Sequence, residues 1–295
     1  MSSSAPRARS LAWALVGPTL ALLIAFNVFP LLYNIASSFT NAELIGGEWR
    51  SVGGANYARV FEDELFAGAL RRTALFVVCA VTLELLLGFA LALSLHRGLP
   101  GKQVVLTILL VPMMLSPAVM GLYWNLVLNG NYGVVNQGLT ALGFDPPQWL
   151  TDRDLKFWSI LLIDVWMWTP FMMLIALAGL NAIPPSIYEA AQIDRARPWK
   201  VFTRITLPMC TPVLGLAVLF RATDALKQFD LVMAVTGPND AATQTLSTLL
   251  YQVVFRDGSV GLGAAFSCVI LVLVIALATV FTRYIDRLQS KDVTA

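Results

Sequence analysis

Long runs of apolar residues dominate this sequence, and they limit the folds that the chain can adopt. A helix needs about 20 apolar residues to cross the hydrocarbon core of a bilayer, and runs of this length recur along the chain. Charged residues make up only 13% of the sequence, against about 25% in a soluble domain. Because backbone polar groups cannot go unpaired in lipid, the sequence predicts an all-α membrane protein with six transmembrane helices.

The six apolar runs place the predicted helices along the chain. The first run follows basic residues, as a signal peptide would, but it is too long for one and lacks a small-residue cleavage site. We therefore expect a retained first helix, kinked near Pro18 and Pro30. The third span contains Pro112 and Pro117. The predicted spans cover residues 11–37, 73–95, 104–128, 157–180, 208–235 and 260–284.

The distribution of basic residues predicts the orientation. With the N-terminus in the cytoplasm, the inner segments carry eleven basic and four acidic residues, and the outer segments carry seven basic and ten acidic. The positive-inside rule then predicts that both termini are cytoplasmic. The Arg71-Arg72 pair on the outer side is the main exception. The predicted organisation is a cytoplasmic tail 1–10, a first helix 11–37, an external segment 38–72, a transmembrane core 73–286 with a cytoplasmic loop 181–207, and a cytoplasmic tail 287–295.

The loop 181–207 is the most informative cytoplasmic segment. Pro184 and Pro185 end the preceding span, and Ser186 with Glu189 has the spacing of a capping box, which predicts that a helix begins there. Arg197-Pro198 should end that helix, and a second amphipathic piece should lead into the fifth span. A compact helical protrusion of this kind suits docking in the groove of a partner. Periodicity alone would equally allow a basic amphipathic helix on the anionic inner leaflet.

The same loop resembles a known protein family. The residues that carry the resemblance are Ser186, Glu189-Ala190-Ala191, Asp194, Ala196 and Leu207-Pro208, which are similar to the EAA loop of binding-protein-dependent ABC importer permeases. The sequence pattern Tyr-Glu-Ala-Ala-x-x-Asp is typical of the carbohydrate-uptake branch of this family, which includes maltose, glycerol-3-phosphate and multiple-sugar permeases. Gly54-Ala55-Asn56-Tyr57 and Thr236-Gly237-Pro238 also resemble stretches of that branch. This chain departs from the family at Arg195, where glycine is usual, and lacks one glycine before Pro238.

The resemblance implies the type I ABC importer permease fold in the inner membrane. It implies that the EAA loop is the coupling helix held by an ATPase subunit. Two ATPase subunits with ATP and Mg²⁺, a second homologous permease, an external binding protein and a sugar substrate are the expected partners, besides membrane lipid. This chain itself would bind no cofactor, and its net charge of +2 gives no reason to expect a nucleic-acid partner.

Charged residues inside the predicted spans admit two interpretations. A buried charge costs at least ~2.5–3.5 kcal/mol, so such residues usually face a cavity or a partner. They form either a polar wall along a translocation path or neutralising pairs that hold helices together. Asp164, Trp168 and Phe171 share one face of the fourth span and suit a sugar, although tryptophan also marks the membrane interface. The candidate substrate-path residues are Asp164, Trp168, Phe171, Asp224, Lys227 and Gln228.

Other functions receive less support from the sequence. No Gly-x-Ser-x-Gly, HExxH or Walker A motif is present, so the chain is not expected to be an enzyme or to hydrolyse ATP. An ABC permease for a non-sugar solute remains an alternative. An ion-coupled secondary transporter is a further one, but the inverted internal symmetry common in such folds is not visible.

Overall fold

The protein is almost wholly helical throughout the residues described by its computed structural model. These are residues 5–47, 49–96, 98 and 100–293, with side chains described between 13 and 283. Much of the predicted tails 1–10 and 287–295, and Arg97, lie outside these limits. No strand occurs in the described residues, only an isolated bridge between Thr40 and Ser51. The helices are α1 Ala5–Leu23, α2 Phe29–Ser37, α3 Ala55–Glu62, α4 Glu64–His96, α5 Lys102–Leu110, α6 Pro117–Val127, α7 Val134–Ala141, α8 Leu155–Asn181, α9 Pro185–Ile193, α10 Pro198–Val201, α11 Leu207–Ala225, α12 Asp230–Val235, α13 Leu246–Tyr251 and α14 Val260–Val293.

Within the described chain, five helical stretches are long and apolar enough to cross a membrane. They confirm helices at the predicted first, second, fourth, fifth and sixth spans. Three bounds differ clearly from the prediction, because the second stretch begins at Glu64 and the fifth begins at Pro198 and ends at Ala225. The stretches are Trp13–Ser37, Glu64–His96, Leu155–Asn181, Pro198–Ala225 and Val260–Arg283.

The fifth span ends before its predicted limit because the following residues are held by other contacts. The side chain of Gln228 donates to Asp164 at 2.7 Å, and its backbone carbonyl accepts from Thr245 Oγ1 at 2.9 Å. Phe229 has φ −133° and ψ −60°, outside the helical region, before α12 begins. These long-range contacts override the apolar pattern that continues beyond Ala225.

The third predicted span is not one continuous helix. α5 ends at Leu110, a 3₁₀ turn covers Pro112–Met114, and Ser116 is extended with ψ 133° before α6 begins at Pro117. A proline cannot donate a helical backbone bond, and it disfavours the helical conformation in the residue before it. Two prolines five positions apart therefore divide the segment into two helices.

Single π-helical turns occur just before two other prolines. One turn, Ile24–Val28, precedes Pro30, and another, Phe202–Thr206, precedes Pro208. In a regular helix, the proline ring would clash with the carbonyl of the residue four positions earlier. In both of these cases that carbonyl belongs to the π turn, which is wider than an α-helical turn. The irregularity expected in the first helix near Pro30 is thus a π turn.

The chain divides into two compact units. One combines the chain up to Asp63 with Leu250–Leu271. In it, buried Asn56 donates to the carbonyls of Ser38 and Thr40 at 2.9 and 2.8 Å, and Tyr57 shares a hydrogen bond with Ser38. The Gly-x-Asn-Tyr stretch thus has a structural role in fixing the chain after α2.

The other unit contains Glu64–Leu249 and the chain from Val272 onward. Its core is built by α4, α8 and α11, which pack against one another along their lengths. Gly88 permits the close approach of α4 to α8, since a Cβ there would lie 2.6 Å from Met172 Cβ. Arg72, the discordant basic residue on α4, is half-buried and donates its Nε to the carbonyl of Gln244 at 2.9 Å.

Candidate functional site

Two short helices occupy the segment between α8 and α11, as predicted. α9 runs over Pro185–Ile193, and α10 over Pro198–Val201. The capping-box prediction is wrong in detail. The N-cap position is Pro184, no side chain caps it, and α9 begins one residue before Ser186. Proline fits the first helical position because its missing N–H would be unpaired there in any case.

Arg195 ends α9 in a left-handed conformation. Its φ is 48°, and among the described non-glycine residues it alone has a positive φ. The N–H of Ala196 bonds to the carbonyl of Ala191 at 2.9 Å, and the N–H of Arg195 to that of Gln192 at 3.0 Å. This pair of bonds is a Schellman motif, in which glycine is the usual residue at the left-handed position. The departure from the family at Arg195 therefore retains the geometry that glycine would provide.

The neighbouring residues Ala190 and Ala191 of α9 differ in exposure. Glu189 and Ala190 are exposed, whereas Ala191 is only 8% exposed and packs inward. Glu189 makes no ion pair with any side chain that the structure describes. Apolar side chains accompany it, with Ile193 83% and Trp199 74% exposed. Such exposed apolar groups beside a free carboxylate are typical of a protein interface.

A basic cleft separates α9 from the start of the fifth span. Its volume is about 940 Å³. Serine and alanine side chains of α9 form one wall, and cationic side chains contribute to the rest. The charged residues that line it are Asp194, Arg195, Arg197, Lys200 and Arg204.

A buried ionic cluster joins the three core helices. Arg221 on α11 donates its Nε to Glu84 on α4 at 2.9 Å and a terminal nitrogen to Asp164 on α8. Its other terminal nitrogen donates to Asp224 at 3.1 Å. Arg221 is 2% exposed, and Glu84 and Asp164 are each 0% exposed. We call Arg221, Glu84, Asp164, Asp224 and Gln228 the Arg221 cluster.

The cluster contains the neutralising contacts that one interpretation of the intramembrane charges predicted, and exposed charges lie at its edge. Glu84, Asp164 and Arg221 form the neutralising contacts that hold helices together. The two carboxyl oxygens of Asp164 accept hydrogen bonds from Arg221 and Gln228. The side chain of Asp224, by contrast, is 55% exposed, and Lys227 and Asp230 are also exposed.

Aromatic rings lie at the edge of the Arg221 cluster. The guanidinium of Arg221 lies 5.0 Å from the ring centroid of Trp168, and the rings of Trp168 and Phe171 meet edge to face at 6.3 Å. Both rings are partly exposed. The predicted path residues are therefore brought together, with Asp164 buried and Asp224, Lys227, Gln228, Trp168 and Phe171 at least partly accessible.

Glu84 lies inside the predicted second span but is not among the candidate substrate-path residues that the sequence suggested. Its partner Arg221 lies 137 residues further along the chain, so no periodicity connects the two. The usable signal was the charge itself, because a carboxyl in the middle of an apolar run requires a partner. The ion pair between Lys156 and Asp240 was not predicted either, because these two residues are also far apart in the sequence.

Comparison with known proteins gives consistent matches. Residues 84–291 match the family described as binding-protein-dependent transport system inner membrane component. The chain is 35% identical over 277 residues to the trehalose/maltose transport system permease protein MalF of Thermococcus litoralis, covering 94% of each chain. It is 33% identical to the trehalose transport system permease protein SugA of Mycobacterium tuberculosis, covering 93% of this chain and 88% of that one. A chain in the crystal structure of a bacterial ABC transporter involved in import of the acidic polysaccharide alginate shares the fold, with a TM-score of 0.83, 22% identity, and 95% and 96% coverage.

Proposed function

Because this chain belongs to the family of binding-protein-dependent transport system inner membrane components, we propose that it is the permease subunit of an ABC importer for a sugar or sugar derivative. The observation that carries the proposal is the identity of 35% over nearly the whole chain to a trehalose/maltose permease protein. The subunit is a multi-pass membrane protein and not itself an enzyme. Its location is the inner membrane.

The coupling role of the loop 181–207 is part of this proposal. The sequence has no nucleotide-binding motif, so the energy of ATP hydrolysis has to enter through contact with another subunit. α9 offers that contact a free carboxylate at Glu189, a small side chain at Ala190 and exposed apolar groups. An apolar surface with one unpaired charge fits a groove that supplies a cation.

Six membrane crossings complete the proposed topology. The five long apolar helices supply five of them, and α5 with α6 supplies the third, broken crossing. The cationic cleft beside α9 supports a cytoplasmic position for that end of the molecule, by the positive-inside rule. Both termini are then cytoplasmic.

The proposed assembly contains two permeases, two ATPase subunits and an external binding protein. ATP binding closes the ATPases, and their movement is passed to α9 and the helices beside it. The permeases change from an inward-open to an outward-open state, and the binding protein releases its sugar into the cavity. The ligands drive this change by their different affinities for the two states.

Uptake into membrane vesicles that contain the whole transporter tests the function. Labelled maltose and trehalose, delivered by the external binding protein, should enter vesicles loaded with ATP and should not enter vesicles loaded with ADP. An ionophore that collapses ion gradients should leave ATP-driven uptake unchanged. Uptake that follows the gradient instead of ATP would support the secondary transporter, and ATP-driven uptake of a non-sugar solute alone would support the other alternative.

A further inference from the structure

The accessible edge of the Arg221 cluster is rich in carboxylates and poor in available cations. Within the cluster, three carboxylates, Glu84, Asp164 and Asp224, surround one cation, Arg221. Of these four residues only Asp224 is exposed, and the exposed Lys227 and Asp230 follow it along the chain. The exposed charged side chains are therefore two carboxylates and one lysine, and the cluster itself offers no open cation.

Arg221 cannot serve as a receptor for an anionic ligand. All three of its guanidinium nitrogens already donate to carboxylates of the cluster, and Trp168 covers its face. With 2% of its surface exposed, no direction of approach remains for another anion. A bidentate guanidinium is the group that proteins favour for carboxylate and phosphate ligands, and here it is committed to the protein itself.

Lys227 does not provide a receptor for an anionic ligand in place of Arg221. Lys227 lies three residues along the chain from each of Asp224 and Asp230, and all three side chains are exposed. A lysine placed between two carboxylates adds little net attraction for an anion, because its charge is balanced by its neighbours. An anionic group that approached Lys227 would also approach Asp224.

The remaining groups suit an uncharged polyhydroxyl ligand. The carboxylate of Asp224 can accept hydrogen bonds from hydroxyl groups, and the side-chain amide of Gln228 at the same edge can both donate and accept them. The partly exposed ring of Trp168 offers an apolar plane to the C–H face of a sugar ring. A charged residue within a membrane-spanning bundle usually faces a water-filled cavity or a partner.

We infer that the edge formed by Asp224, Gln228 and Trp168 selects an uncharged sugar and disfavours sugars that carry a carboxylate, sulfonate or phosphate. This inference rests on the proposed function and specifies the substrate class. Like charges brought together without compensation oppose binding strongly, so an anionic sugar should bind at least about tenfold more weakly than its neutral counterpart.

Binding has to be measured without the external binding protein, because that protein imposes its own selectivity. Saturation-transfer NMR detects weak binding directly on the permease and ATPase complex in nanodiscs. The probes are maltose and trehalose as neutral sugars, and maltobionate and trehalose 6-phosphate as anionic counterparts. We expect saturation transfer to the neutral pair and at least about tenfold less to the anionic pair. Asp224→Lys should reduce that difference at least about tenfold.

Asp145→Lys provides the matched control, since Asp145 is also exposed, undergoes the same charge change and lies in the loop before α8. It should leave the neutral-to-anionic ratio as in the wild type. In the wild type, saturation transfer to the anionic sugars that equals or exceeds transfer to the neutral sugars would overturn the inference. An equal neutral-to-anionic ratio in Asp224→Lys and Asp145→Lys would also overturn it, as would the absence of transfer to any sugar. If ATP-driven sugar uptake persists in such a case, the proposed function stands and only the selectivity is rejected.

Discussion

Arg195 adopts a backbone conformation that favours glycine. Its φ of 48° allows the two bonds that close α9. The left-handed conformation costs a residue with a Cβ about 1–2 kcal/mol, part of which glycine loses again through its freedom in the unfolded chain. We expect Arg195→Gly to stabilise this turn by roughly 0.5–1 kcal/mol. Hydrogen exchange of the Ala196 amide, which bonds across the turn, should become slower.

Arg197→Gly controls for the loss of a cation in the same turn. Arg197 is also an exposed arginine, but its φ is −64°, so glycine offers it no conformational advantage. Exchange at Ala196 should be unchanged or faster in this variant. Faster exchange in Arg195→Gly than in the wild type would contradict the conformational argument.

Arg221 compensates two carboxyls that have no exposure to water. In Arg221→Leu these carboxyls lose their partner, and breaking a buried ionic contact in this way typically costs about 3–5 kcal/mol. We expect a clear fall in the thermal stability of the purified protein. Replacing Glu84, Asp164 and Arg221 together with leucine should restore much of that loss, because no unpaired charge then remains. A single Arg221→Leu variant as stable as the wild type would show that the cluster does not hold the helices.

At the residue scale, the sequence showed that Arg195 departs from the family but did not predict its backbone conformation. Arginine stands there where glycine is usual, and the structure gives it a positive φ. The capping box failed because Pro184 and Pro185 determine the start of α9 instead of Ser186. The partners of Arg221 on the other two core helices could not be predicted, since they lie 57 and 137 residues away and no local pattern records such distances.

At the scale of an element, α9 is the part whose role can be tested most directly. Glu189 is exposed and does not cap its helix, so Glu189→Gln should leave insertion and folding unchanged. Loss of a charged pair at an interface should cost about 2–5 kcal/mol of association, which weakens retention of the ATPase. Co-purification of the ATPase with wild type and variant, with ATP-driven uptake in parallel, measures this effect.

Two further variants sharpen the test of α9. Ala190→Trp enlarges an exposed position of the helix and should also weaken retention, whereas the buried Ala191 would disturb packing within this chain if replaced. Glu43→Gln is the control, because it removes an equally exposed carboxylate from the predicted external segment. Normal retention and uptake in both Glu189→Gln and Ala190→Trp would reject the coupling assignment.

Whole helices were predictable when length and hydropathy determined them. Five long apolar helices lie where the apolar runs indicated. The third failed as a single helix because Pro112 and Pro117 act on the backbone independently of hydropathy. The fifth ended early because Gln228 is engaged by residues distant in sequence.

For the whole molecule, six crossings predict that the two termini lie on the same side. A reporter that is active only outside the cytoplasm should be inactive when fused after Ala295. The same reporter inserted between Gly46 and Gly47, in the predicted external segment, should be active. Strong activity of the C-terminal fusion would reject the six-crossing topology and would make α5 and α6 a segment that does not cross the membrane.

The Arg221 cluster also has a consequence for how the protein is made. Glu84 leaves the ribosome 137 residues before Arg221 does. At about 5–20 residues per second, this interval is roughly 7–27 s. During that time α4 has entered the bilayer with a carboxyl whose partner has not yet been synthesised. The arrival of α11 therefore supplies the missing partner, and a ribosome stalled before Arg221 would leave a nascent chain in which the carboxyl of Glu84 lies uncompensated in the bilayer.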